Sequence, residues 1–333
     1  MPASGYSPAG QWTQLYPPKP AFREKDVSSL AGKVYIVTGA NAGVGKELSR
    51  ILYPKKAKVY MACRSEQKTM EAIREIESSV PLDESGELIF LHLDLANLDA
   101  VKASVAAFTS KEEKLDVLFN NAGIMRPPEG SKSDQGYELQ LGVNCVGTFL
   151  FTKLLTPVLL ETAKEAAKGT VRVIWVSSAA IESAFAIKEG IEIDNLEYQR
   201  ETPIMTKYSI SKTGAFFYGT EYAKRHKANG ILSIPLNPGL LDSDLWRSQG
   251  KLSHKLLKLF VLHPPIYGAY TELFAGLSPD VTAERSGEYV IPWGRFQQPR
   301  KDLIAGSKSL VEEGTGVAEK FWQWSEVQVK SYL

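Results

Sequence analysis

Tyr208 and Lys212 stand four residues apart in a stretch of helical character, so a phenol and an ammonium project from one helix face and can share a site. Such a pair suits general acid chemistry. Protonating an oxygen that is becoming an alkoxide requires an acid held beside it. A free phenol, with a pKa of about 10, is poorly matched to neutral water, and a neighbouring positive charge lowers that value. Two adjacent hydroxyls, Ser177 and Ser178, precede the pair, and either can donate a hydrogen bond to an oxygen on which negative charge builds. A second constellation is the run Thr38-Gly39-Ala40-Asn41-Ala42-Gly43-Val44-Gly45, whose glycines allow a tight turn into a following helix. A phosphate group can then meet free N–H groups at the positive end of the helix dipole. Neither pattern is diagnostic alone, since 14 tyrosines make one chance Tyr-x-x-x-Lys match expected.

Position relative to the secondary structure gives these residues their weight. Short runs of β-branched and apolar residues at 33–38, 58–63, 88–93, 115–120, 171–177 and 231–235 read as strands, with 288–291 a weaker seventh. Helical patterns lie between them near 44–53, 65–79, 97–110, 136–166 and 206–228. Strands that are almost wholly apolar and alternate with helices predict an α/β protein: a single doubly wound Rossmann-type domain, with a seven-stranded mostly parallel sheet and helices on both faces. The glycine-rich turn then follows the first strand, and Tyr208 falls between the fifth and sixth. Residues 1–30, with five prolines, predict an extended arm, 31–297 the nucleotide-binding domain, and 298–333 a helical tail whose Phe321, Trp322 and Trp324 pack onto the body.

The second strand ends Ala62-Cys63-Arg64. In a dinucleotide site that prefers NAD, a carboxylate here receives the adenosine ribose hydroxyls. This chain has Cys63 instead, followed by a guanidinium that can pair with a 2′-phosphate, so the expected cofactor is NADP(H).

Four motifs in this order, each at a strand end, resemble the short-chain dehydrogenase/reductase family over about residues 31–295. They are T-G-x-x-x-G-x-G at 38–45, Asp94 after the third strand, Asn120-Asn121-Ala122-Gly123 after the fourth, and Pro238-Gly239 after the sixth. The resemblance implies a catalytic set of Asn144, Ser178, Tyr208 and Lys212, with the second serine of the pair as the donor and Asn144 shaping its helix and holding a water of the proton relay. It implies cofactor contacts from Gly39, Asn41, Gly43, Val44, Gly45, Arg64, Asp94, Asn120, Asn121, Tyr208, Lys212, Pro238, Gly239, Leu241 and Ser243. Lys212 would hold the nicotinamide ribose, and Ser243 replaces the threonine usual after the P-G turn. The reaction implied is NADP(H)-dependent interconversion of a carbonyl and an alcohol. The alternative is a catalytically idle NADP(H)-binding regulator or scaffold. An insertion at about 183–205 is similar to the longer loop of retinol-dehydrogenase-like and WW-domain-oxidoreductase-like members. The 267–273 run and the Trp-rich tail resemble a branch common in filamentous fungi, many of whose members serve secondary metabolism. Family members commonly pair as homodimers through the helices near 136–166 and 206–228, a face that the terminal additions could block.

Composition narrows the remaining classes. The 333 residues are 44% hydrophobic and 23% charged, an ordinary globular profile, and the net charge of +1 provides no field for a polyanion, so no nucleic-acid partner is expected. Two cysteines, Cys63 and Cys145, build no disulfide framework, and the four histidines show no metal-binding spacing. No G-x-S-x-G elbow surrounds a serine. Neither a leader nor an apolar run of bilayer length is evident, so the expected location is cytoplasmic with no transmembrane segment. The basic amphipathic stretch 251–262 is expected to close over the substrate. With Phe185, Ile187, Leu245, Trp246, Leu256 and Phe260 flanking the site, the expected partner is a small-molecule substrate, a bulky lipophilic carbonyl compound or the corresponding alcohol.

Overall fold

Seven short parallel strands and one antiparallel strand build the sheet of this protein, whose computed structural model describes residues 8–81, 85–243 and 261–333. The strands are β1 (Val34–Thr38), β2 (Lys58–Cys63), β3 (Glu87–His92), β4 (Val117–Asn120), β5 (Val171–Val176), β6 (Ile231–Leu236), β7 (Val290–Ile291) and β8 (Arg295–Phe296). They lie in the order β3-β2-β1-β4-β5-β6-β7-β8. The order reverses between β1 and β4, which opens a crevice at the carboxyl ends of the strands. The seven strands expected from the sequence are present. The eighth is a two-residue return that pairs Phe296 with Val290, too short to carry a period of its own.

The helices are α1 (Pro8–Leu15), α2 (Gly43–Leu52), α3 (Glu66–Glu77), α4 (Leu98–Thr109), α5 (Leu139–Glu165), α6 (Ile204–His226), α7 (Pro265–Leu277), α8 (Lys301–Ser307) and α9 (Val317–Val329). Strand residues alternate between two buried clusters, with Val34 and Ile36 in one and Tyr35 and Val37 in the other, because successive side chains leave opposite faces of a strand. The first cluster packs under α4, α5, α6 and α9, the second under α2, α3 and α7. Arg172 of β5 fastens α7, donating to the carbonyls of Ala275 and Ser278 at 3.0 Å each.

The tail joins the first core, as expected. Phe321 stacks on Tyr218 with ring centroids 4.9 Å apart, Trp322 meets the edge of Phe149 at 4.8 Å, and the Tyr218 and Ser325 hydroxyls are 2.6 Å apart. Thus α9 covers part of the α5 and α6 faces. Helix α5 is long and apolar enough to cross a membrane, but 78% of its apolar window is buried inside the protein.

The N-terminal arm departs from the extended form expected. Residues Pro8–Leu15 form a helix. Pro8 occupies its first position, where a missing N–H is harmless, and Pro17, Pro18 and Pro20 lie beyond its end, so the prolines frame the helix and do not interrupt it. The inserted loop at 183–205 is mostly irregular, with a single 3₁₀ turn at Ile193–Asn195.

Candidate active site

Strands β1, β4, β5 and β6 all end at one crevice, and the residues just after β4, β5 and β6 line a cavity of about 410 Å³. After β5, the Ser178 Oγ accepts from the Ala180 N–H at 3.1 Å and caps a 3₁₀ turn at Ala179–Glu182. The neighbouring Ser177 hydroxyl is fully committed, buried and donating to the Lys212 carbonyl at 2.7 Å. Of the two serines, Ser178 is therefore the one whose hydroxyl is placed beside Tyr208.

Tyr208 and Lys212 lie in the first turns of α6, both lining the cavity and both almost fully buried. Lys212 Nζ donates to the Val176 carbonyl at 2.9 Å and stands 6.0 Å from the centre of the Tyr208 ring. Burial pushes the phenol up to about 12, with the Ser178 hydrogen bond opposing, and pushes the Lys212 ammonium down to about 8, opposed by Cys145 and Glu272. In this structure desolvation of the phenolate sets the direction and the lowering expected from Lys212 is not seen; the ammonium is itself destabilised by burial and turned toward the Val176 carbonyl.

Asn144 sits in a π-helical turn, Gly142–Gly147, within α5. The wider turn turns its amide inward. Its Oδ1 accepts from the Ile124 N–H at 2.8 Å, and its Nδ2 donates to the Ile124 carbonyl at 3.0 Å and to Ser211 Oγ at 2.9 Å. Ser211 in turn donates to the Tyr208 carbonyl at 2.8 Å. Asn144 thus ties the segment after β4 to the helix carrying Tyr208, although it does not itself line the cavity. Gly123 makes this approach feasible, because a Cβ there would lie 2.8 Å from Lys212 Nζ.

The glycine-rich turn runs from β1 into α2, with φ of 67° at Gly39 and 55° at Gly43, values that favour glycine. Gly45 is needed for space, since a Cβ would lie 2.6 Å from Asn121 Nδ2. Asn121 donates to the Thr38 carbonyl at 2.7 Å, and Thr38 Oγ1 accepts from the Ala122 N–H at 2.8 Å, which locks the turn to the end of β4. No side chain caps α2 at Ala42, so its first N–H groups stay available. Arg64 is exposed at the end of β2, while the Cys63 thiol is buried beneath the backbone of Gly39, Ala40 and Asn41 and pushed up by that burial. Asp94 is half-buried and its Oδ1 caps the turn after β3, accepting from the Ala96 N–H at 3.0 Å. After β6, Pro238, Gly239, Leu241 and Ser243 line the cavity, with Ser243 Cβ 3.6 Å from where a Cβ on Gly43 would stand. An uncapped helix N-terminus, an open guanidinium and a buried lysine along one crevice fit an elongated anionic nucleotide.

One expected contact is turned away. The Asn120 side chain is buried and donates to Thr152 Oγ1 at 2.9 Å, because β4 points it toward α5 and not the crevice. Val44 and Asn121 line the cavity; Gly39, Asn41, Gly43, Gly45, Arg64 and Asp94 lie along the crevice outside it. Phe185 lines the wall, but Ile187 packs onto the core. Leu245, Trp246, Leu256 and Phe260, and all but the end of the 251–262 stretch, lie outside the described residues. Sequence reasoning missed Gln14, Leu15, Glu182 and Asn237, all of which line the cavity. Asn237 adjoins the Pro238-Gly239 turn and was within reach of motif reading, whereas the other three carry no local signal.

A short-chain dehydrogenase family model matches residues 33–188. A short-chain dehydrogenase/reductase of Phomopsis amygdali is 52% identical over 326 residues, covering 97% of each chain, and one of Neocamarosporium betae is 46% identical, covering 100% of this chain and 96% of its own. Among solved structures, a protein of Mycobacterium paratuberculosis is 27% identical with a TM-score of 0.65, covering 93% of this chain and 97% of that one. With near-complete coverage at such identity, and with the motifs at the strand ends where they were expected, the chain belongs to the short-chain dehydrogenase/reductase family of oxidoreductases.

Proposed function

We propose that this protein is an NADP(H)-dependent oxidoreductase that interconverts a carbonyl and an alcohol on a bulky lipophilic substrate. The observation that carries this reading is the convergence of Ser178, Tyr208 and Lys212 on one cavity whose other walls include Leu15, Met125, Phe185, Met205 and Leu240. Apolar walls exclude water and accept a lipophilic body, and the few polar groups fix its orientation. When bound, the nicotinamide supplies the hydride. Ser178 Oγ holds the substrate oxygen by a hydrogen bond that strengthens as charge develops. Tyr208 Oη, protonated at neutral pH, delivers the proton to that oxygen. Lys212 lends positive charge to the floor of the site, and Asn144 acts as a positioning residue through Ser211. Arg64 and the absence of a carboxylate at the end of β2 favour the 2′-phosphate of NADP(H).

The test is NADPH oxidation by the purified protein against quinones, aldehydes and polycyclic ketones, with Tyr208→Phe as the control. The variant keeps the ring and loses the proton donor, so turnover should fall by about 100-fold or more while NADPH binding persists. NADPH binding with no turnover across the panel by the wild-type chain would point to the idle scaffold instead.

A further inference from the structure

The cavity has a wall that comes from outside the nucleotide-binding domain. Helix α1 lays Gln14 and Leu15 against the same space as Ser178 and Tyr208. Trp12 of this helix is 64% exposed and Tyr16, just beyond its end, 47%, yet Gln14 is only 7% exposed. Four hydrogen bonds pin the segment. Gln14 Nε2 donates to Glu182 Oε2 at 3.0 Å, Asn237 Nδ2 donates to Gln14 Oε1 at 2.8 Å, Arg295 donates to the Thr13 carbonyl at 2.7 Å, and His263 Nε2 lies 2.9 Å from the Leu15 carbonyl. Because a carbonyl only accepts, the last bond requires the proton on Nε2.

The amide of Gln14 makes two of these bonds, which use one of its two N–H groups and one lone pair of its oxygen. A donor and an acceptor are left over on a buried group that faces the cavity. Glu182, beside it, is buried as well and its carboxyl is pushed up by that burial. Around this pair the wall is apolar, with Leu15, Ala184, Phe185 and Leu240. A buried polar group with unused hydrogen-bonding capacity is unfavourable unless a ligand or water completes it.

Resting on the function proposed above, we infer that Gln14 is a specificity-determining residue: α1 completes the substrate site, and the Gln14 amide recognises a second hydrogen-bonding group on the substrate, remote from the carbonyl that reacts. The substrate class is then a lipophilic ketone or aldehyde bearing a hydroxyl or second carbonyl, or the corresponding alcohol. An unfunctionalised hydrocarbon body would leave Gln14 unsatisfied.

The probes are α-tetralone and its ring-hydroxylated analogues, assayed by NADPH oxidation with the full-length chain. The wild-type protein should prefer at least one hydroxylated ketone in kcat/KM. Gln14→Ala should reduce that preference by about tenfold, the worth of one hydrogen bond to a neutral group. Gln14→Glu, which retains an oxygen for Asn237 and loses the donor, serves if the alanine variant releases the arm, and should also change the ratio. An unchanged ratio in both variants, or an equal loss on every ketone, reduces Gln14 to a fastening and overturns the inference while the proposed activity stands. Failure of the wild-type chain to turn over any carbonyl overturns the activity and this inference together.

Discussion

Replacing Gly123 by alanine places one methyl group at the centre of the site. The backbone there does not require glycine, since Gly123 has no left-handed φ. Space is the constraint. The added Cβ would stand 2.8 Å from Lys212 Nζ and 3.3 Å from Asn144 Oδ1, where ordinary contact begins at 3.4 Å. Nζ must therefore retreat by about 0.6 Å. It cannot do so freely, because it is held 2.9 Å from the Val176 carbonyl. Losing or misaligning a charge-assisted hydrogen bond of this kind is worth about 1.5–3 kcal/mol, which corresponds to roughly 10- to 100-fold in kcat/KM. The assay is steady-state NADPH oxidation on the best ketone found, with cofactor binding and the chemical unfolding midpoint measured beside it. Activity should fall within that range, and the midpoint should fall with it, because the same hydrogen bond contributes to folding. A folded Gly123→Ala enzyme with kcat/KM within about twofold of wild type would refute the reasoning that Lys212 must occupy this position.

Two further substitutions probe the cofactor and the floor of the site. Arg64→Asp replaces the exposed guanidinium at the end of β2 with a carboxylate, and should reverse the preference from NADPH to NADH; unchanged discrimination in kcat/KM would remove Arg64 from 2′-phosphate binding. Glu272 of α7 is fully buried, neither oxygen has a partner among the described residues, and burial pushes its carboxyl up to about 8, against the pull of Lys212. Because the folded value exceeds the unfolded one, the native state holds a proton that the unfolded chain releases; this stability is full below about pH 4.5 and is lost as pH rises toward about 8. Glu272→Gln cannot ionise, so its unfolding free energy should fall less steeply over that interval, by a few kcal/mol in total (order of magnitude). Parallel pH profiles of urea unfolding for the two proteins would show that Glu272 is ionised in the fold or paired with a group not identified.

The parts of the site that sit on strand ends were legible from the sequence because each depends on local pattern. Apolar strand runs placed β1 to β6 within two or three residues, and helices α2 to α6 likewise, since a buried strand and an amphipathic helix leave their period in adjacent residues; α1 and α7 were not anticipated. The glycine-rich turn, Gly123 and the Tyr208–Lys212 pair followed from that frame. Local pattern could not say which way a side chain would turn. Asn120 and Asn121 are neighbours, and the pleat sends one toward Thr152 and the other toward Thr38. Nor could it give the phenol its raised pKa, which depends on how much water the packed helices α5 and α6 exclude.

By itself, then, the sequence determined the order of strands β1 to β7 and of helices α2 to α6, the glycine-rich turn between β1 and α2, and the residue types able to move a proton. Only the tertiary structure decided where Lys212 points and that the cavity is closed by α1. Gln14 meets Asn237 across 223 residues of chain, and Glu182 across 168. A bond of that separation leaves no periodic trace in either segment, because it depends on how the whole sheet brings the ends of β5 and β6 beneath the arm. That is why an arm whose composition suggested a loose extended chain proved to be a wall of the site.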